Sequence, residues 1–369
     1  DYEVECGRLI LQWIAEGFVE YDATRTPEEV AEQYLNELIH RSLVQVSSLT
    51  SGGKRKSCRV HDLVRKMILE NIKDLGFSHF AGERDNLSGV EMVRRITIAS
   101  GSNNWMESDK SSNIRSLHVF TNEKLPESFV SGIPKTYRLL KVLDFEKASL
   151  FNYVPENLGD LLLLRYLSFR NTKLTNLPRS IGMLHNLETL DLRKTMVRKM
   201  PREIQKLKNL RHILAYETSK GFGYGLQMEN RFEDLESLQT LREVETNQGG
   251  EEVLKEFERL TKVRVLGLTN VQQGFRNVVG SLVNKMKHME KLHIAAIHER
   301  EVIDLDFIVP EPVLRKNFLI SLLILIRQLC YVTDQLLHLF IFIYFIEHLR
   351  EVLRSTSTAT CDNRDTYGI

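Results

Sequence analysis

Four segments of this chain, "LKVLDFEKASLFNYVP" at Leu140, "LRYLSFRNTKLTNLP" at Leu164, "LETLDLRKTMVRKMP" at Leu187 and "LRHILAY" at Leu210, begin 24, 23 and 23 residues apart. A period of that length means stacked small units, because a single unit of about 20–29 residues cannot bury its own apolar face. Weaker copies start at Val93, Ile114, Leu238, Val263 and Met289. In each clear copy leucines alternate with polar residues over a short strand, and a returning segment such as "RSIGMLHN" or "REIQKLKN" follows. Leu167, Phe169, Leu190 and Leu192 are therefore expected inside the stack. These are leucine-rich repeats, and the expected architecture is a solenoid with its strands on the concave side.

Period-2 alternation places the intervening residues outward: Val142, Asp144 and Glu146, then Tyr166, Ser168 and Arg170, then Thr189, Asp191 and Arg193, then His212, Leu214 and Tyr216. Such a face, mixed in sign and carrying tyrosine and arginine, suits a protein ligand better than a phosphate polymer. The candidate protein-binding residues are Tyr166, Arg170, Asp191, Arg193, His212 and Tyr216. An ordinary solvated array is the plainer alternative, since any soluble solenoid must show polar residues somewhere.

The first ninety residues follow other rules. "CGRLILQWIAEGF" carries apolar residues at helical spacing and stops at Gly17. "TPEEVAEQYLNELIHRSL" opens with Thr26 as N-cap, Pro27 in the first turn and Glu29 completing a capping box. "SLVQVSSL" alternates like a half-buried strand, "TSGGKRKS" supplies a glycine turn, and a return strand ends at Val60. Helices followed by a hairpin describe a winged helix. Lys54, Arg55 and Lys56 could touch phosphates, but the second helix is acidic on its exposed side and would be repelled by DNA. In "CRVHDLVRKMILE", Asp62 is placed to cap a third helix.

Together "DYEVECGRLILQWIAEGFVE", "EEVAEQYLNELIHRSLVQV" and "CRVHDLVRKMI" resemble, in order and spacing, the winged-helix part of plant nucleotide-binding leucine-rich-repeat disease-resistance proteins of the coiled-coil class. Val60, His61 and Asp62 stand where that family usually has Met-His-Asp. The resemblance implies that His61 faces the β-phosphate of a bound ADP and that Asp62 supports it. It also implies a switch between ADP and ATP, a pathogen effector or host protein on the concave face, and an intramolecular contact between the repeats and the nucleotide-binding module. The implied location is cytoplasmic, with peripheral association at the plasma membrane as a variant. No G-x-x-x-x-G-K-[ST] occurs, so this chain alone is expected to bind nucleotide weakly or not at all and to lack enzymatic activity. Two other functions remain open at this stage: a repeat module for protein interaction without a nucleotide switch, and a winged-helix nucleic-acid binder.

Fifty basic residues against forty-nine acidic ones leave no global attraction to nucleic acid or an anionic membrane. The four cysteines, Cys6, Cys58, Cys330 and Cys361, are distant in sequence and show no metal-ligand spacing, so reduced thiols and no metal are expected. The glycine-rich stretch 219–227 reads as an insertion between repeats. "LISLLILIRQLCYVTDQLLHLFIFIYFIEHL" is apolar on nearly every side, but Arg327, Asp334 and His338 interrupt it, which argues against a transmembrane span. It reads as a cap over the solenoid or as sequence foreign to the repeats. A chain that begins at Asp1, without methionine or a signal segment, is expected to be a fragment. The expected layout is an α/β chain with a winged helix over 1–90, repeats over 91–316 and an atypical tail over 317–369.

Overall fold

Leu9, Ile10 and Trp13 give the first helix an apolar side that packs with Cys6, Leu35 and Cys58 into a small separate core. The computed structural model describes residues 3–50, 53–75, 79–81, 93–99, 113–215, 225–228, 232, 234–246, 250–296 and 319–323. All of them fall within one compact unit, Asp1–Ile324.

The chain opens with β1 (Val4–Glu5), α1 (Cys6–Glu16) and α2 (Pro27–His40). Gly17 ends α1 at φ 86°, a left-handed conformation that glycine adopts without strain. The capping box at Thr26 and Glu29 is formed in both directions. β2 (Val44–Leu49) and β3 (Arg55–Val60) make the antiparallel wing, and β1 adds to its edge in the order β1-β3-β2. α3 (Asp62–Leu75) follows. Its start differs from the sequence expectation: the Leu63 N–H donates to His61 Nδ1 at 3.2 Å, so His61 is the capping side chain and Asp62 is the first helical residue. The carboxylate one position later is already inside the helix, where its negative charge still favours the positive N-terminal end.

A single parallel sheet carries the solenoid. Its strands are β4 (His79–Ala81), β5 (Arg95–Ala99), β6 (Ser116–Phe120), β7 (Val142–Asp144), β8 (Tyr166–Ser168), β9 (Thr189–Asp191), β11 (His212–Leu214), β13 (Thr240–Glu245), β14 (Val265–Val271), β15 (Lys291–Ala296) and β16 (Leu319–Leu323). The short β10 (Lys199–Met200) and β12 (Gln227–Met228) pair beside it. Between the strands run α4 (Glu127–Thr136), α5 (Gly250–Phe257), α6 (Arg276–Lys285), a 3-10 turn at Gln273–Phe275, and the 3-10 turns Glu156–Asp160, Arg179–Met183 and Arg202–Lys206. Pro155, Pro178 and Pro201 introduce the last three turns at φ −74°, −71° and −65°, the value the pyrrolidine ring imposes. Gly159 and Gly182 allow the turns to nest, because a Cβ on either would meet a backbone oxygen of the next repeat at 2.6 Å.

Leu167, Phe169, Leu190 and Leu192 are inside as expected, in one continuous core that runs from Val93 to Ile294. Phe145, Phe151 and Phe169 stack nearly parallel, with centroids 4.4 to 5.8 Å apart. One backbone bond per repeat locks the register: Lys141 N–H to Arg115, Arg165 to Lys141, Glu188 to Arg165, and Arg211 to Glu188, at 2.7 to 2.8 Å. β16 pairs in parallel with β15, so the sheet continues past Lys316, where the sequence suggested that repeat structure ends. The rest of the apolar tail, over 324–369, lies outside the described residues, as do Tyr216 and residues 219–224 of the glycine-rich stretch. Among the described residues no helix is long and apolar enough to cross a membrane.

Candidate functional site

The outward strand positions do not form an open face. α1 and α2 lie across them, and Ala15 packs with Val142 and Tyr166 into a sealed apolar contact, with Leu11 at its margin. Tyr166, offered by the sequence as an exposed anchor, is fully buried there. The reason is geometric: a concave sheet is wide enough to admit a helix, and α1 presents the small Ala15 where it meets Val142 and Tyr166.

Ionic pairs surround this apolar centre, and each joins a residue of the winged helix to the solenoid. Arg8 of α1 pairs with Asp144 and, at 2.7 Å, with Glu146. Gln12 donates a further bond to Asp144 at 2.7 Å. Glu5 accepts from Arg170 at 2.7 Å and from Arg193 at 2.8 Å, while Arg193 also grips Asp191 at 2.6 Å. At the far end of α1, Glu16 holds Arg95 at 2.8 Å and accepts from the Ser116 hydroxyl. Glu28, in the first turn of α2, holds Arg211 at 2.7 Å and His212 at 3.0 Å. Glu29 reaches Arg264 at 3.6 Å. Five of the six residues proposed from the sequence thus belong to one docked surface, and their partner in this structure is the chain's own first domain.

The charge states follow from the contacts. Burial would raise Asp144, but Arg8 and His118 outweigh it and hold its carboxyl well below the usual carboxylate range. Glu5 is likewise lowered, because Arg193 and Arg170 overcome the cost of its burial. For Glu28 the hydrogen bond from His212 and the charge of Arg211 exceed the burial cost and bring it down to about 2. Burial pushes the His212 imidazolium downward despite Glu28, so the ring is neutral at pH 7. Its Nε2–H donates to Glu28, and Nδ1 accepts from the Thr240 hydroxyl at 3.1 Å.

His61 and Asp62 lie apart from this interface, at the start of α3. With Nδ1 accepting from Leu63, a neutral His61 carries its proton on Nε2. That nitrogen could donate to a phosphate oxygen, so the histidine fits the role that the resemblance gives it. Nearby, Leu63, Met67 and Val60 are exposed.

Residues 1–68 match the family described as "Disease resistance protein Winged helix domain", and residues 113–351 match "Leucine-rich repeat region". The chain belongs to the plant leucine-rich-repeat disease-resistance family. Within this family it is similar to the putative disease resistance RPP13-like protein 3 of Arabidopsis thaliana, 32% identical over 183 residues, which are 48% of this chain and 21% of the relative. It is also similar to disease resistance protein Pik-2 of Oryza sativa subsp. japonica, 35% identical over 184 residues, covering 48% of this chain and 17% of that protein. The chain spans about a fifth of the length of these resistance proteins. Among solved structures, the Arabidopsis receptor kinase HAESA in complex with the peptide hormone IDA and the co-receptor SERK1 aligns with a TM-score of 0.41 and 15% identity, over 60% of this chain and 38% of that one. An internalin from Listeria monocytogenes aligns at 0.38 and 16%, over 62% and 74%.

The sequence alone did not single out Glu5, Arg8, Glu16 and Glu28 as residues of this interface. Their only signal was charge on or beside a helix, which is what solvated residues also show.

Proposed function

We propose that this chain is the C-terminal switch and sensor portion of a plant immune receptor, and that the docked winged helix is its resting arrangement. The observation that supports the reading is the set of ion pairs from Glu5, Arg8, Glu16 and Glu28 across strands β5 to β11, which occupies the concave face a foreign protein would need. In the intact receptor, exchange of ADP for ATP would release the winged helix, and a pathogen effector or host protein would compete for the repeats. His61, through Nε2–H, would hold an ADP phosphate at the start of α3, where unpaired N–H groups also favour an anion. Bound nucleotide supplies the charge whose presence or loss biases the two arrangements; the residues of this chain transmit it through α1 and α2.

The test restores the upstream nucleotide-binding region and reverses one docking charge, Glu5→Lys. Faster release of bound ADP and self-association without a pathogen are expected. Glu5→Gln, which removes the charge without reversing it against Arg170 and Arg193, should shift release in the same direction by a smaller factor. Unchanged nucleotide release in Glu5→Lys would remove the docked face from the switch.

A further inference from the structure

Fifty-two residues of sequence separate Cys6 from Cys58, yet the fold brings them together. Val4 pairs with Cys58 across β1 and β3, Glu5 pairs with Ser57, and Cys6 is the next residue, the first of α1. The two cysteines and Leu35 form the buried centre of the winged helix, with exposures of 5%, 2% and 1%. Both thiols are free, and they are close enough for one to donate a hydrogen bond to the other. Cys58 lies on β3, three residues before His61. The strand before Cys6 ends in Glu5, which grips Arg170 and Arg193, and Arg8 follows two residues later.

We propose that Cys6 and Cys58 form a reversible disulfide that staples β3 to the start of α1, a redox modification site in the winged helix. The oxidant is a peroxide. Cys6 thiolate attacks one peroxide oxygen, the O–O bond breaks, and hydroxide leaves after Cys6 has become a sulfenic acid. Cys58 sulfur then displaces the sulfenic oxygen, giving the S–S bond. In total two thiols and one hydrogen peroxide yield one disulfide and two waters. Burial raises both thiols, but at Cys6 the hydrogen bond with Cys58, the Arg55 charge and the helix N-terminus offset part of the rise, whereas burial and Cys6 together push the Cys58 thiol up to about 12, so Cys6 attacks first. Burial keeps both thiols largely protonated, so the pair responds to strong or sustained oxidation and not to a resting thiol pool. A dithiol reductant reverses the bond.

The experiment treats the full chain with hydrogen peroxide, blocks remaining thiols with an alkylating agent, and digests it with trypsin without reduction. A species joining Asp1–Arg8 to Ser57–Arg59 is expected, lost again on treatment with dithiothreitol and absent from Cys58→Ala. The oxidised chain should melt roughly 5–10 °C higher, as a closed loop of this length constrains the unfolded state. Cys6 and Cys58 both recovered as alkylated thiols, either found as a sulfinic acid, or a crosslink to Cys330 or Cys361 would overturn the proposal. So would a correct crosslink that lowers the melting temperature.

Discussion

Arg8 stands between Asp144 and Glu146, and all three charged groups are withdrawn from water. Two carboxylates share one guanidinium from a helix more than 130 residues earlier in the chain. Arg8→Ala would take the shared guanidinium from both buried carboxylates, leaving Asp144 with His118 and Gln12 and Glu146 with Arg170 at 3.5 Å, a cost of about 3 kcal/mol. Urea denaturation should show that loss. A double-mutant cycle with Asp144→Ala should show coupling well above about 0.5 kcal/mol, the scatter expected of independent sites.

Tyr166 predicts the opposite sign. Its hydroxyl is buried beneath α1 and has no hydrogen-bond partner among the described residues. An unsatisfied buried polar group costs about 1–3 kcal/mol, so Tyr166→Phe should stabilise the docked chain by around 1 kcal/mol. A higher denaturation midpoint with an unchanged slope is the result to look for.

The docked state should weaken in acid. Glu28 has a folded value of about 2 against an ordinary 4.5, so its contribution is complete above pH 4.5 and is lost as pH falls toward 2. His212 is also lowered, and its contribution declines below the ordinary histidine value of 6.5, in the same direction. Glu28→Gln should therefore flatten the acid limb of the stability curve, measured by thermal melts between pH 2.5 and 7.

His61 separates two effects. Replacing it with alanine removes the cap of α3 and should cost about 0.5–2 kcal/mol in this chain. His61→Asn keeps an acceptor at the cap and should restore most of that stability. In the receptor with its nucleotide-binding region restored, loss of the Nε2 donor should still speed ADP release in His61→Asn, measured with a fluorescent nucleotide beside the melting temperature.

Local chemistry was legible in the sequence. The Thr26 capping box, the Gly17 stop, the wing and the inward Leu167, Phe169, Leu190 and Leu192 all depend on residues within one turn or one repeat of each other. The cap at His61 was misassigned to Asp62 by one position, because both side chains can accept an N–H and spacing does not choose between them. The dock was not legible at all. Glu28 meets His212 across 184 residues, and only the curvature of the stacked repeats decides which helix faces which strand. The alternation marks Tyr166, Arg170 and Arg193 as one side of the strands, but nothing local to them shows that α1 packs against it.

A stack of repeats ordinarily melts from its ends, since each unit rests only on its neighbours. Here β1, α1 and α2 touch β5 through Arg95, β7 through Asp144, β9 through Asp191 by way of Arg193 and Glu5, and β11 through His212. This turns a linear chain of nearest-neighbour couplings into one bridged along its length. Fraying at β5 must then disturb α1, and β1, which runs straight into α1, is held at β9. The bridged repeats should open together rather than in sequence, so a single event that lifts α1 would loosen the whole middle of the solenoid at once.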